Sequence, residues 1–165
     1  MGYENCVLVD YLRAFGHEVQ TNSEKLNLDV VRLAKYDFLI SYGYSHIVSA
    51  QILDLFPHSA VNLHISFLPH NRGSDPNFWS FVEDSPKGVS IHYMSAGLDK
   101  GEIIAQRRLD FDQEFETFSS SYLRLRTEIE TLFMSVWQGI VNHTALTRPK
   151  VPAARITKAP TKKNI

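Results

Sequence analysis

The segment Ala60-Val61-Asn62-Leu63-His64-Ile65-Ser66-Phe67-Leu68-Pro69-His70-Asn71-Arg72-Gly73 changes character half-way. Ala60 to Ile65 reads as a strand. Asn62, His64 and Ser66 lie at i, i+2 and i+4, so on a strand and its extended exit they point to one side. Pro69, Asn71, Gly73, Ser74, Asp75 and Pro76 then form a dense cluster of turn formers. A strand that empties into a stiff loop is where α/β sheets carry ligand-binding side chains.

Outward from this segment, helices and strands alternate. Asp37 to Ser41 is a short apolar run that predicts a strand buried on both faces, ended by Gly43. Ser49 caps a helix through Leu55, which Pro57 closes. Further upstream, Leu28 to Ala34 reads as a helix, His17 to Thr21 as a short strand, and Val7 to Phe15 as a helix stopped by Gly16. Downstream, Pro76 opens a helix through Glu83. Val89 to Met94 alternates and predicts a strand, and Ala96 to Gly101 is a loop. Glu102 to Phe111 is another strand. Thr117 to about His143 is a long helix, with Tyr122, Leu125, Ile129, Leu132, Phe133, Val136, Trp137 and Ile140 recurring at three and four. This order predicts an α/β domain with a mostly parallel sheet flanked by helices. Sites are then expected in Gly43 to Val48, Asn62 to Gly73 and Ser95 to Gly101. The chain opens on a helix, where folds of this order usually open on a strand.

Composition narrows the class. The chain has 165 residues, 44% of them hydrophobic, which suffices for one domain with a real core. Its single cysteine, Cys6, excludes an intramolecular disulfide framework. No apolar run approaches membrane-spanning length and no signal peptide is present, so a cytoplasmic protein without membrane contact is expected. Seventeen cations against 18 acids give a net charge of −1. Six of those cations and no acid fall between Arg148 and Ile165, leaving residues 1–147 with 11 cations, 18 acids and a balance of −7. The expected division is therefore a domain over 1–147 and a basic, disordered tail over 148–165. An acidic body argues against a large nucleic-acid footprint.

Asn62, His64 and Asp99 are the residues with chemistry to offer. A histidine with a carboxylate partner is an oriented acid–base pair, and a neighbouring carboxamide supplies a donor for a developing oxyanion. Such a set suits attack on a carbonyl without a protein nucleophile. Each residue also has a plain structural reading: Asn62 as a turn residue, His64 as a core histidine, Asp99 as a brace of its own glycine-bracketed loop. Spacing alone does not bring Asp99 to His64. Nothing in the sequence has the spacing of a metal site, a dinucleotide fingerprint, a P-loop or a nucleophile elbow.

The segment from Asn62 to Gly73 closely resembles the folate-dependent formyltransferases, whose pattern is Asn-x-His-x-Ser-x-Leu-Pro followed by Arg-Gly. A second stretch agrees, from Gly88-Val89-Ser90-Ile91-His92-Tyr93 to Gly97-Leu98-Asp99-Lys100-Gly101-Glu102-Ile103-Ile104-Ala105-Gln106. The resemblance is strongest from Tyr42 to Gln106. It implies a Rossmann-like formyltransferase fold with 10-formyltetrahydrofolate as formyl donor and a small-molecule primary amine as acceptor. It places the catalytic Asn, His and Asp on Asn62, His64 and Asp99. Asn62 and His64 would hold the oxyanion, and Asp99 would orient His64. The pterin would lie beside Tyr44, Ser45, His46, Ile47 and Val48, with Leu53 behind and Ser95, Ala96, Gly97 and Leu98 as the other wall. Ser66, Pro69, Arg72 and Gly73 are the expected acceptor-side residues, and His92 a supporting one.

Within the resemblance, Asn71 to Ser80 favours the branch that formylates amino sugars on nucleotides. Glycinamide ribonucleotide formyltransferase is the runner-up. Methionyl-tRNA formyltransferase is disfavoured, because the 22 residues after His143 cannot make its second domain. Two readings outside acceptor transfer stand beside these: a hydrolase that gives the formyl group to water, and a non-catalytic remnant that binds a partner. The remnant reading follows from the family's first strand, which the sequence lacks, so the domain is expected to be N-terminally incomplete. A homodimer is compatible with everything above.

Overall fold

Capping residues set the helix boundaries of this computed structural model, which describes residues 6–112, 114–147 and 156–157. The helices are α1 (Cys6–Ala14), α2 (Leu28–Ala34), α3 (Ala50–Leu53), α4 (Pro76–Val82) and α5 (Phe118–Val141). Asn27 caps α2 by accepting from the Asp29 and Val30 amides, and Ser49 caps α3. Thr117 and Ser120 close a reciprocal capping box at the start of α5. The strands are β1 (Leu39–Tyr42), β2 (Ala60–His64), β3 (Arg72–Gly73), β4 (Gly88–Tyr93), β5 (Ile103–Arg108) and β6 (Ile156–Thr157).

The main sheet has four strands in the order β1-β2-β4-β5. It is an α/β sheet flanked by helices, as the sequence predicts, but it is mixed rather than mostly parallel. Only β1–β2 is parallel; β2–β4 and β4–β5 run antiparallel. The reason lies in the loop after β2. Its Leu68 amide donates to Ser90 Oγ and its Leu68 carbonyl accepts from Gln106 Nε2, at 3.0 and 2.8 Å. These bonds pin the excursion beside the start of β4, so the chain re-enters the sheet at the end where β2 leaves it.

Two further expectations change. His17 to Thr21 forms no strand. Among the described residues it pairs with no strand, although β1 is the edge of the sheet. The segment is held instead by side chains: Trp137 Nε1 donates to His17 Nε2 and Arg13 Nη2 to the Val19 carbonyl. As an edge, β1 is half-exposed throughout rather than buried on both faces. Its last residue, Tyr42, is tied to α5 by a hydroxyl bond of 2.9 Å to Glu130.

The inner strands have two unlike faces. Val61, Leu63, Val89 and Ile91 pack against Leu125, Ile129 and Phe133 of α5 and Leu8 and Leu12 of α1. Each such side chain, fully buried, contributes about 1.5–3 kcal/mol. A smaller apolar cluster gathers Val31, Val48, Ile52, Phe56 and Ala60 beside α3. On the other face of β2, β4 and β5 stand Asn62, His64, Ser90, His92 and Gln106, as the antiparallel register requires. Loops cover that face. Of the basic tail expected over 148–165, all but Ile156–Thr157 lies outside the described residues. Those two form β6, paired in parallel with Arg72–Gly73. Among the described residues, no helix is long and apolar enough to cross a membrane.

Candidate active site

β2 carries Asn62 and His64 on one face, and the antiparallel register sets His92 of β4 opposite Asn62. Asp99 reaches them because the loop between β4 and β5 folds back over the sheet. Gly101 makes this possible. A Cβ there would collide with the Tyr93 carbonyl, so only glycine lets the returning chain lie so close. Asp99 itself has a left-handed backbone, φ 48°, which turns its carboxylate inward.

The carboxylate is the hub. Asp99 Oδ1 accepts from Asn62 Nδ2 at 3.1 Å, and Oδ2 accepts from the Gly73 amide at 2.8 Å. His64 Nε2 lies 3.6 Å from Oδ2 and His92 Nε2 lies 3.5 Å from Oδ1. His64, His92 and Asp99 are buried, at 7, 2 and 8% exposed, and Asn62 and Gly73 are half-buried. Burial on its own would raise the Asp99 carboxyl. The His64 and His92 rings and the Gly73 N–H outweigh it and hold the group well below the ordinary carboxylate range. Burial lowers the His64 ring below an ordinary histidine, only partly offset by Asp99, so its imidazole is neutral.

The hydrogen bonds fix which ring nitrogens carry protons. His64 Nε2 lies 3.1 Å from the Asn71 carbonyl, which can only accept, so Nε2 bears the hydrogen. Nδ1 makes no hydrogen bond among the described residues and is left as the ring's acceptor. His92 Nδ1 faces the Tyr93 carbonyl at 2.9 Å and bears its hydrogen there. His92 Nε2 lies 3.2 Å from Asn62 Nδ2 and 3.5 Å from Asp99 Oδ1. One N–H of the Asn62 amide is engaged by Asp99.

The structure brings Asn62, His64 and Asp99 together and adds His92, which the sequence marks only as supporting. The acceptor-side residues divide. Gly73 binds Asp99 through its backbone. Ser66 is buried, donating to the His70 carbonyl, and Arg72 is 1% exposed. Pro69 follows a cis peptide bond in the same loop.

A cleft of about 320 Å³ opens beside the cluster. It takes in Leu53, Ser95 and Ala96 as expected, together with Phe56, Ala60, Tyr93 and Met94. Ala60 shares a face of β2 with Asn62, two residues on, so the cleft adjoins the cluster; period two in the sequence signals this. Tyr44 and Val48 do not line it. They pack on the apolar cluster behind, with the Tyr44 hydroxyl donating to the Glu24 carbonyl. Ser45, His46, Ile47, Gly97 and Leu98 are exposed around it, Ile47 most at 84%.

Residues 7–136 match the model of the formyl transferase family. The chain belongs to that family. Among solved structures, this formyl transferase chain is similar to the formyltransferase PseJ from Anoxybacillus kamchatkensis, determined in complex with UDP-4,6-dideoxy-4-formamido-L-AltNAc and tetrahydrofolate. The two are 44% identical, with a TM-score of 0.91 covering 96% of this chain and 83% of that one. It is also 34% identical over 117 residues to the methionyl-tRNA formyltransferase of Treponema pallidum, matching 70% of this chain and 36% of the relative. The chain thus spans about a third of the length of that curated relative. Phosphoribosylglycinamide formyltransferase from Bacillus halodurans shares the fold, at 24% identity and a TM-score of 0.64 over 69% of this chain and 59% of that one.

Proposed function

We propose that this chain transfers a formyl group from 10-formyltetrahydrofolate to a primary amine on a nucleotide-linked amino sugar, with residues 1–147 as its catalytic unit. The observation that carries the reading is the enclosed cluster in which Asp99 contacts Asn62 and His64, beside an open cleft. The acceptor class is supported by the 44% identity to PseJ over nearly the whole chain, against 34% over a shorter stretch for the tRNA enzyme.

The residues present fit a folate. The cleft's 320 Å³ lies at the lower end of the range for small-molecule sites, roughly 300–1,000 Å³. Its wall of Leu53, Ala60 and Met94 suits the face of a flat heterocycle, and the backbone of Ser95 and Ala96 suits its polar edge. When bound, the donor supplies a formyl group on nitrogen, open to attack by an amine. The rest is done by the protein. Neutral His64 would take the amine's proton at Nδ1 as the new carbon–nitrogen bond forms, and would return it to the donor's nitrogen as the old carbon–nitrogen bond breaks and tetrahydrofolate leaves. Asp99 stabilises the imidazolium from the Nε2 side. The Asn71 carbonyl and the Gly73 amide hold His64 and Asp99 in place, so little reorganisation is needed at the moment of transfer.

The test pairs binding with turnover. Calorimetry with 5-formyltetrahydrofolate, a stable isomer that does not donate, is expected to show saturable binding weakened by a bulky replacement at Ala60. Mass spectrometry is then expected to show one CO unit added to the 4-amino precursor of the PseJ ligand, and none added to glycinamide ribonucleotide or methionyl-tRNA. Formate release without any acceptor would transfer the reading to a hydrolase. A cooperatively folding chain that binds no folate would sink it.

A further inference from the structure

Resting on that reading of the site, we propose that Asn71 is a positioning residue for His64: its left-handed backbone turns its carbonyl onto His64 Nε2, and its side chain, clasped by Glu83 and Ser85, keeps the carbonyl there. Which ring nitrogen carries the hydrogen decides which one can take a proton from an amine, so the group that sets this sets part of the chemistry.

Two oxygens lie near His64 Nε2. The Asn71 carbonyl stands at 3.1 Å, within hydrogen-bond range, and Asp99 Oδ2 at 3.6 Å, outside it. Oδ2 is already served by the Gly73 amide at 2.8 Å. The carbonyl can only accept, so it selects the ring with hydrogen on Nε2 and leaves Nδ1 able to accept. A neutral acceptor does this without drawing the ring toward its charged state as strongly as a carboxylate at the same distance would. Asp99 stays close enough to steady the charge once the ring gains a proton.

Asn71 has little freedom to do otherwise. It is 3% exposed, with φ 52°, a conformation that asparagine adopts more readily than most residues. On its N-terminal side, Ser66 Oγ donates to the His70 carbonyl and the His70 amide to the Phe67 carbonyl, at 3.0 and 3.1 Å. Its own carboxamide bonds to the segment that joins α4 to β4. Nδ2 donates to Glu83 Oε2 at 3.2 Å, and Oδ1 accepts from Ser85 Oγ at 2.5 Å. A carboxylate can only accept, so the orientation of the carboxamide is fixed. That segment is anchored in turn: the Glu83 amide donates to the Trp79 carbonyl and the Ser85 amide to the Ser80 carbonyl, at 2.9 and 3.0 Å. A chain of bonds thus runs from the end of α4 through Asn71 to the ring of His64. Asn71, Glu83 and Ser85 are not among the residues that line the cleft, so the chain bears on proton transfer rather than on folate binding.

The experiment has a spectroscopic arm and a kinetic arm. Long-range proton–nitrogen correlation of the histidine rings in the full 165-residue protein at neutral pH is expected to show His64 protonated at Nε2 and bare at Nδ1. Asn71→Gly keeps the left-handed backbone accessible and removes the clasp, and is expected to turn the His64 signals into a mixture of tautomers. Ser85→Ala, which removes one bond at a half-buried position, is expected to do so in part, and it decides if Asn71→Gly does not fold. A His64 ring protonated at Nδ1, or His64 signals unchanged in the variants that fold, would overturn the proposal. This arm needs no substrate, so it stands even if the formyltransferase reading fails. In the kinetic arm, Asn71→Gly is expected to lower kcat with the 4-amino sugar nucleotide about a hundredfold, the scale of a reacting group displaced by about an ångström, at unchanged affinity for 5-formyltetrahydrofolate. Asn71→Asp sets two carboxylates face to face and is expected to lose as much. Adding Glu83→Gln to it restores the pair with donor and acceptor exchanged, and is expected to recover much of the loss. Unchanged kcat in Asn71→Gly, or no recovery in the double variant, would also overturn it.

Discussion

The two faces of the inner strands are built from the same residues' neighbours and do opposite work. On one, Val61, Leu63, Val89 and Ile91 press against α5 with no polar atom to satisfy. On the other, His64, Ser90 and His92 are buried nearly as deeply and Asn62 is half-buried, but every one is tied to a partner by a directional bond. Apolar burial stabilises in proportion to area and tolerates small rearrangements. A buried polar network costs stability wherever a partner is lost, yet it holds each atom to a fraction of an ångström. The comparison teaches that the fold's cohesion and its chemistry are separable, residue by alternate residue, along single strands.

Substitutions can break that separation. The largest effect is expected on the polar face: His64→Ala should reduce single-turnover formamide formation by about 10²- to 10⁴-fold, the usual contribution of a general base, while the protein still melts cooperatively. Next comes the apolar face. Ile91→Ala, at a position with no exposure, should cost about 2–5 kcal/mol in denaturant titration and leave kcat per folded molecule unchanged. If Ile91→Ala also lowered kcat of the folded fraction, the two faces would not be independent.

Ser90→Ala sharpens the contrast, because it tests stability on the polar side. Ser90 Oγ donates to the Ser66 carbonyl and accepts from the Leu68 amide and Gln106 Nε2. Removing it strands buried donors, with an expected cost of about 1–3 kcal/mol, read as a lower Tm. The smallest effect is in pH. A ring whose folded pKa is depressed disfavours folding once the unfolded chain takes up a proton. Stability from His64 is therefore complete above about pH 6.5 and declines as pH falls below it, by at most about 1.4 kcal/mol per unit. Asp99, also depressed, adds a second decline that begins near pH 4 and deepens toward lower pH. His64→Gln should flatten the first decline and leave the second.

Much of this was legible in the residues. Local signals set the helices, because a cap, a proline or a glycine acts within one turn: Asn27, Ser49, Pro76 and Thr117 each stand where a helix begins. The candidate trio of Asn62, His64 and Asp99 came from a resemblance, and its members do meet. What stayed hidden depends on pairing. Strand direction is not encoded in a strand's own composition. It follows here from two bonds to Leu68 made by Ser90 and Gln106, far away in the chain. The alternation of Val89 to Met94 predicts a strand but does not show that loops cover its polar face; β4 is buried on both sides up to Tyr93. Arg72 reads as an anion ligand by type, yet its place beneath the loop encloses it. His17 to Thr21 had the residues for a strand, yet it pairs with none among the described residues.

The bulge in the sheet shows where the molecule can absorb a change in length. A slip of one residue between β2 and β4 would send His92 and Ser90 into the core and bring Ile91 and Val89 up among the ligands. Between β4 and β5 such a slip is already present: Ile91 pairs with Ala105 and His92 with Ile103, with Ile104 left over. The irregularity lies on the side away from Asn62, and the β2–β4 ladder runs unbroken from Val61 to His64. A change in length is therefore expected to be absorbed best at the bulge beside Ile104, before Gln106 is reached. Along the paired stretch of β2 and β4, the count of residues is as constrained as their identity.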